Sequence, residues 1–221
     1  MSFILNGVEI PSPFDVVIQL QGTLVVGGVK PSKEAEKILE ECAYDRKRIL
    51  LKEIELCQGY DTPMAYCLLA DAYVFLGASY RSEAIYYLRK YLENPSWCRC
   101  LEKDRPAFLA SKWSALGKAY EGEYDFKSAI LAYDKQRRIC PQYPAAYIQI
   151  AKVMVKMNKL DSAIQFLQTA KKTDYYLHPR FGTCFNTCVD GHLQDIVEKK
   201  CAGTIISREK TKKKPPFKNG Q

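Results

Sequence analysis

A pattern of side-chain sizes that returns after 34 residues constrains this chain more than any other feature. Trp113, Leu116, Gly117 and Tyr120, followed by Ala129, Tyr133 and Pro141, come back as Tyr147, Ile150, Ala151 and Met154, then Ala163, Leu167 and Tyr175. Large residues fall on large ones, and the small pair at 117 and 129 returns as a small pair at 151 and 163. A period of this length is that of a helix-turn-helix unit too small to bury its own apolar face, which stacks on its neighbours instead. Where the first helix crosses the second closely, the crossing points admit only Gly or Ala. Bulky residues a turn away then interlock as ridges in grooves. Trp113, Tyr120 and Tyr133 therefore read as core rather than as a ligand cage, because large residues at helical spacing pack.

At these residues the chain, Trp-x2-Leu-Gly-x2-Tyr, then Ala-x3-Tyr, then Pro, resembles the tetratricopeptide repeat family. The resemblance implies an all-α, right-handed helical solenoid of about three repeats plus helical caps. A further unit lies upstream, with Tyr66, Leu69, Ala70 and Tyr73 on its first helix and Ala84, Leu88 and Tyr91 on its second. Its small residues stand 14 apart instead of 12, so two extra residues belong in the turn around Gly77, Ala78 and Ser79. The stretch from Asn94 to Ala110, with Pro95, Trp97, Cys98, Cys100 and Pro106, departs from the family pattern. The repeats are placed at about 63–98, 110–143 and 144–177, inside one helical domain over 31–205.

Both ends of that domain suggest caps. Ser32 follows Pro31 and precedes the acidic first turn of Glu34 and Glu36, a helix-start signal. Apolar residues then recur at three and four from Ala35 to Ile54, predicting one uninterrupted helix from about Lys33 to Gln58. Gly59 stops it, and Asp61 or Thr62 with Pro63 starts the next. At the other end, Phe181, Cys184, Phe185 and Cys188, then Leu193, Ile196, Val197 and Cys201 after Gly191, predict a degenerate helical cap over 178–205.

The first 30 residues carry a different pattern. Phe3, Leu5, Val8 and Ile10 alternate around Asn6-Gly7, and Val16 to Gln21, Gly22-Thr23 and Leu24 to Val26 read as strand, turn, strand. A β-rich segment containing small hairpins is expected over 1–30, resting on the helices or on another chain, since isolated hairpins are marginal in water. The run Asn6-Gly7-Val8-Glu9-Ile10-Pro11 also resembles the start of some small bacteriophage tail proteins, which implies a virion-associated structural role as one alternative.

No segment approaches the 18 apolar residues of a membrane span, and no basic stretch precedes an apolar run at the N-terminus. A cytoplasmic setting is expected. Nine cysteines, an odd number, agree with a reducing compartment. Cys42, Cys57, Cys67 and Cys140 fall on or beside apolar helix positions, where a free thiol serves as a small hydrophobe. His178, Cys184, Cys188 and His192 gather nitrogen and sulfur donors suited to zinc, yet their spacing matches no common zinc motif, and Gly191 is a potential helix break before His192. No cofactor is expected. A Cys-His nucleophile lacks an orienting group and an oxyanion site, and Gly27-Gly28 lacks the Lys of a phosphate loop, so no enzyme is expected either.

The net charge of +8 is concentrated at the C-terminus, where residues 206–221 hold six basic residues against Glu209. With Pro215 and Pro216, this basic tail is expected to be disordered. In the family that the repeats resemble, the first helix of each unit builds a concave groove. The resemblance places Phe75, Lys118, Ile148, Lys152, Val155 and Lys156 there, with Met64, Cys67 and Asp71 beside them. Phe75, Ile148 and Val155 would offer apolar contact, and the lysines would hold a carboxylate of an acidic peptide. Members that clamp chaperone C-termini have Asn where Lys118 and Lys152 stand, so that partner is not implied. The function expected is a protein-interaction scaffold or adaptor; a nucleic-acid or anionic-surface binder using the tail stays open beside it.

Overall fold

Hydrogen-bond chemistry at the helix ends sets the element boundaries. The computed structural model describes residues 3–5, 8–10, 12–26, 32–96, 102–173 and 189–200. The chain divides into two compact units, Met1–Cys140 and Pro141–Gln221. In the first unit, strands β1 (Phe3–Leu5) and β2 (Val8–Ile10) precede α1 (Ser12–Val26), α2 (Lys33–Glu41), α3 (Arg46–Cys57), α4 (Pro63–Leu76), α5 (Arg81–Glu93), α6 (Arg105–Gly122) and α7 (Phe126–Ile139). The second holds α8 (Ala145–Lys156), α9 (Leu160–Ala170) and helical residues 189–200. Ser32, Asp45, Thr62 and Asp125 each accept a hydrogen bond from the backbone N–H three residues on, and Pro63 occupies the first turn of α4. These caps satisfy donors that helix starts leave open.

The helices form tandem hairpins, α2/α3, α4/α5 and α6/α7 in the first unit and α8/α9 in the second. The turns of the last two are copies of one another at the 34-residue offset. Tyr124 and Asn158 both adopt a left-handed backbone, at φ 60° and 59°. The next N–H in each case reaches back five residues, Asp125 to the Tyr120 carbonyl at 3.0 Å and Lys159 to the Met154 carbonyl at 2.8 Å. This is the Schellman closure that ends a helix and reverses the chain.

Packing across the hairpins α4/α5, α6/α7 and α8/α9 follows a size rule. A Cβ on Gly117 would lie 2.4 Å from the Tyr133 ring, so the close partner of Gly117 is Tyr133, one turn beyond Ala129. The corresponding pairs are Ala70 with Leu88 and Ala151 with Leu167, and each pair shares one buried cluster. Glycine stands where the opposing residue is tyrosine, alanine where it is leucine. The Tyr133 hydroxyl donates to Glu121 Oε2 at 3.0 Å, so the ring is buried with its polar atom satisfied.

Three features differ from what the sequence pattern predicts. The expected β-rich N-terminal segment is overturned, because residues 12–26 form helix α1 rather than strand, turn and strand. Val16, Val17 and Ile18 favour a strand locally, but Phe14, Val17 and Leu20 recur at three residues and are all buried, and tertiary packing outweighs β-propensity there. Ahead of α1, the short strands β1 and β2 pair antiparallel, Phe3 opposite Ile10. α1 packs on α2 and α3. Gln19 Oε1 accepts from the Ser32 N–H at 2.8 Å, and the Phe14 ring meets Tyr60 edge-on.

The single helix expected from Lys33 to Gln58 is two helices. Ala43 and Tyr44 turn the chain with φ of 49° and 55°, and Asp45 caps α3. Gly59 follows the C-cap of α3 with φ 89°. Finally, the helix through residues 189–200 runs across Gly191 without a break.

The insertions are absorbed locally. The two extra residues after α4 are taken up in a three-residue 3-10 turn, Ala78–Tyr80, whose Tyr80 ring lies 5.9 Å from Tyr73. Tyr73 in turn stacks on Tyr87 of α5 at 5.5 Å, so aromatic contact holds the longer hairpin closed. Part of the departure before Ala110 lengthens α6 at its start. There the Arg105 guanidinium donates to the Pro95 carbonyl at 2.8 Å, and Phe108 meets Tyr91 edge-on.

Neighbouring hairpins are joined by a buried ion pair. Lys112 of α6 is only 4 % exposed; its amine donates to Asp71 of α4 and lies 4.8 Å from the centre of the Phe108 ring. Removing one partner strands a charge in a low-dielectric site, whereas replacing both with apolar residues removes the desolvation cost as well. Asp71→Leu or Lys112→Met alone should cost about 3–5 kcal/mol. The double variant should lose less than either. Urea denaturation of all four proteins checks this, and additive losses would contradict it.

Candidate functional site

The residues expected in a groove belong to different units. In the first unit, the last turn of α4 carries Val74 and Phe75, 37 % and 48 % exposed. The Arg46 guanidinium lies over the Phe75 ring, 4.9 Å from its centre, a cation–π contact that leaves an apolar surface beside a positive charge. Lys118 is exposed on α6. Met64 and Cys67 are buried in the core of α3 and α4, and Asp71 is the partner of Lys112. These three residues are therefore core or structural, not groove-facing.

In the second unit, Lys152 and Lys156 are exposed one turn apart on α8. Val155 is half-buried against the core cluster. Ile148 corrects the expectation: it is 6 % exposed and packs in that cluster with Ala151, Ala163 and Leu167. The helix at 189–200 contributes Val189 and Ile196 to the same cluster, which explains why an apolar residue at 148 is drawn inward. Two ion pairs tie that helix to α9 and the turn after it: Lys171 to Asp190 at 2.7 Å, and Lys200 to Asp161.

His192, one of the four residues considered for zinc, sits half-buried on that helix; His178, Cys184 and Cys188 lie outside the described residues. Among the described residues no group of three His, Cys, Asp or Glu side chains is gathered for a metal. Cys42, Cys57 and Cys67 are buried free thiols, and burial pushes the Cys57 thiol up to about 12, which keeps it protonated. Among the described residues no helix is long and apolar enough to cross a membrane.

The chemistry missed by the sequence pattern is the partnering of Lys112 with Asp71. Their separation of 41 residues matches no local spacing rule, and an exposed lysine is the default at such a position.

No family model matches the chain, and no curated protein matches it. The chain is similar to two solved structures titled as crystal structures of MamA and of MamA protein, both at 16 % identity. The TM-scores are 0.48 and 0.44, covering 80 % and 82 % of this chain and 99 % and 94 % of those chains.

Burial and the nearby Lys152 cation lower the pKa of His192 below its ordinary 6.5, with Asp195 opposing them. The folded state thus binds fewer protons than the unfolded one as His192 titrates. Its contribution to stability is full above pH 6.5 and is lost as pH falls through the folded value. Lys152→Glu should raise the His192 pKa and weaken that loss. Titration of the imidazole signals by NMR reads the shift directly, and an unmoved value would place Lys152 away from His192.

Proposed function

We propose that this chain is a non-enzymatic protein-interaction scaffold of tetratricopeptide type, working through exposed first-helix side chains. The observation that supports this best is the exposed Val74–Phe75 step at the end of α4, flanked by Arg46. An aromatic residue held open at the rim of a rigid helical hairpin offers an anchor for a partner side chain, and the adjacent guanidinium favours an acidic neighbour. Lys118 in the first unit and Lys152 with Lys156 in the second add exposed positive charge on the first helices of later hairpins.

The size-matched crossings favour rigidity of the hairpins themselves. A scaffold that is fixed before binding loses less conformational entropy when its partner docks. The competing reading is a nucleic-acid binder using the basic residues of 206–221, favoured by the concentration of positive charge there.

Affinity purification with the full chain, Phe75→Glu and Lys152→Glu/Lys156→Glu should lose the same protein partners in at least one variant, at moderate salt. An unchanged partner set in both would contradict the first-helix surface. An electrophoretic shift of nucleic acid at physiological salt that falls steeply with added salt, and vanishes when 206–221 is deleted, would establish the competing reading.

A further inference from the structure

The first unit carries a cleft whose lining includes none of Val74, Phe75 and Lys118. This cleft, of about 570 Å³, opens between α5 and α7 over α6. Trp113, Leu116 and Tyr120 of α6 form its floor, three of the residues that define the 34-residue pattern. Packing therefore accounts for only part of their surface: Trp113 and Tyr120 are half-buried, and their remaining faces line the cleft. Leu131, on the α7 wall, is 68 % exposed, although it stands beside the fully packed Ala132 and Tyr133. The cleft's volume falls within the range of about 300–1,000 Å³ found for clefts that hold ligand groups.

The charges on the walls decide what kind of group. Arg89 on α5 and Lys135 on α7 make no ion pair among the described residues. The Asp134 carboxylate is already taken: Arg137 holds one oxygen at 2.6 Å and Arg138 the other at 2.7 Å. Glu93 is the remaining acid of the cleft, one turn beyond Arg89, and the two uncommitted cations outnumber it. Positive charge on both walls over an apolar floor complements an acidic segment with a bulky apolar side chain.

We infer that this cleft is a docking site for an acidic peptide segment, its aromatic or leucine anchor seated on Trp113 and Tyr120 and its carboxylates between Arg89 and Lys135. The cleft shares no residue with the surface around Phe75. Beside the proposed Phe75 surface, it gives the first unit a further interaction face, walled by α5 and α7 with α6 as its floor.

The probe is a short capped peptide with phenylalanine and leucine among glutamates, titrated calorimetrically into the full chain. Two control peptides carry lysines in place of the glutamates or alanines in place of the anchors. The acidic anchored peptide should bind, and both controls at least about tenfold more weakly. Arg89→Glu/Lys135→Glu should lose the peptide by a similar factor with an unchanged melting temperature, since neither side chain supports the fold. Leu131→Asp should weaken it as well, and Phe75→Glu should leave it intact. Equal binding of the lysine peptide, or undiminished affinity in Arg89→Glu/Lys135→Glu, would overturn the site. So would loss of binding in Phe75→Glu alone, or a single-stranded oligonucleotide that binds in place of the peptide and is lost with the same cleft variant.

Discussion

The pairing of one small residue with one large residue across the hairpins α4/α5, α6/α7 and α8/α9 is what the rest of this structure depends on. Gly117 lies under the Tyr133 ring, and the corresponding positions are Ala70 with Leu88 and Ala151 with Leu167. Two helices joined by a three-residue turn must approach closely near that turn, and side chains on both sides of the crossing would hold them apart. Matching the loss of a methyl group on one helix to the gain of a ring on the other keeps the interhelical space filled. The hairpins α6/α7 and α8/α9 also share one turn geometry, with Tyr124 and Asn158 in the left-handed region.

Two consequences run from that constraint toward function. The residues that interlock at a turn's distance cannot all be fully covered, so Trp113 and Tyr120 keep exposed faces at the floor of a cleft. Meanwhile, Val74 and Phe75 in the last turn of α4 remain open. Apolar surface left over in this way, next to Arg46 in one place and to Arg89 and Lys135 in the other, is surface suited to another polypeptide. The buried Lys112–Asp71 pair serves a different purpose. It links one hairpin to the next at a cost in desolvation.

Those elements whose cause is local or periodic are legible in the sequence. Ser32 and Thr62 cap helices because their hydroxyls reach an open N–H, and Gly59 ends one because it adopts a positive φ. The 34-residue period marks hairpins because packing demands it. What stays hidden has non-local causes. α1 carries a strand-like composition, and only its burial against α2 and α3 makes the three-residue spacing of Phe14, Val17 and Leu20 decisive. The turn at Ala43–Tyr44 contains neither Gly nor Pro, so nothing in its composition interrupts the apolar pattern. The family resemblance places Ile148 in a groove, but it is buried in one cluster with Val189 and Ile196, far along the chain.

A double-mutant cycle at positions 117 and 133 tests the size rule most directly. Gly117→Ala gains helix propensity, yet its methyl group must displace a buried tyrosine ring, so the single variant should lose about 1–3 kcal/mol of stability. Gly117→Ala/Tyr133→Leu recreates the Ala–Leu pairing of the other hairpins at nearly constant volume. It should be more stable than the sum of its single variants by at least about 1 kcal/mol in chemical denaturation. Strict additivity, or a Gly117→Ala variant more stable than the parent, would mean that Tyr133 does not set the crossing.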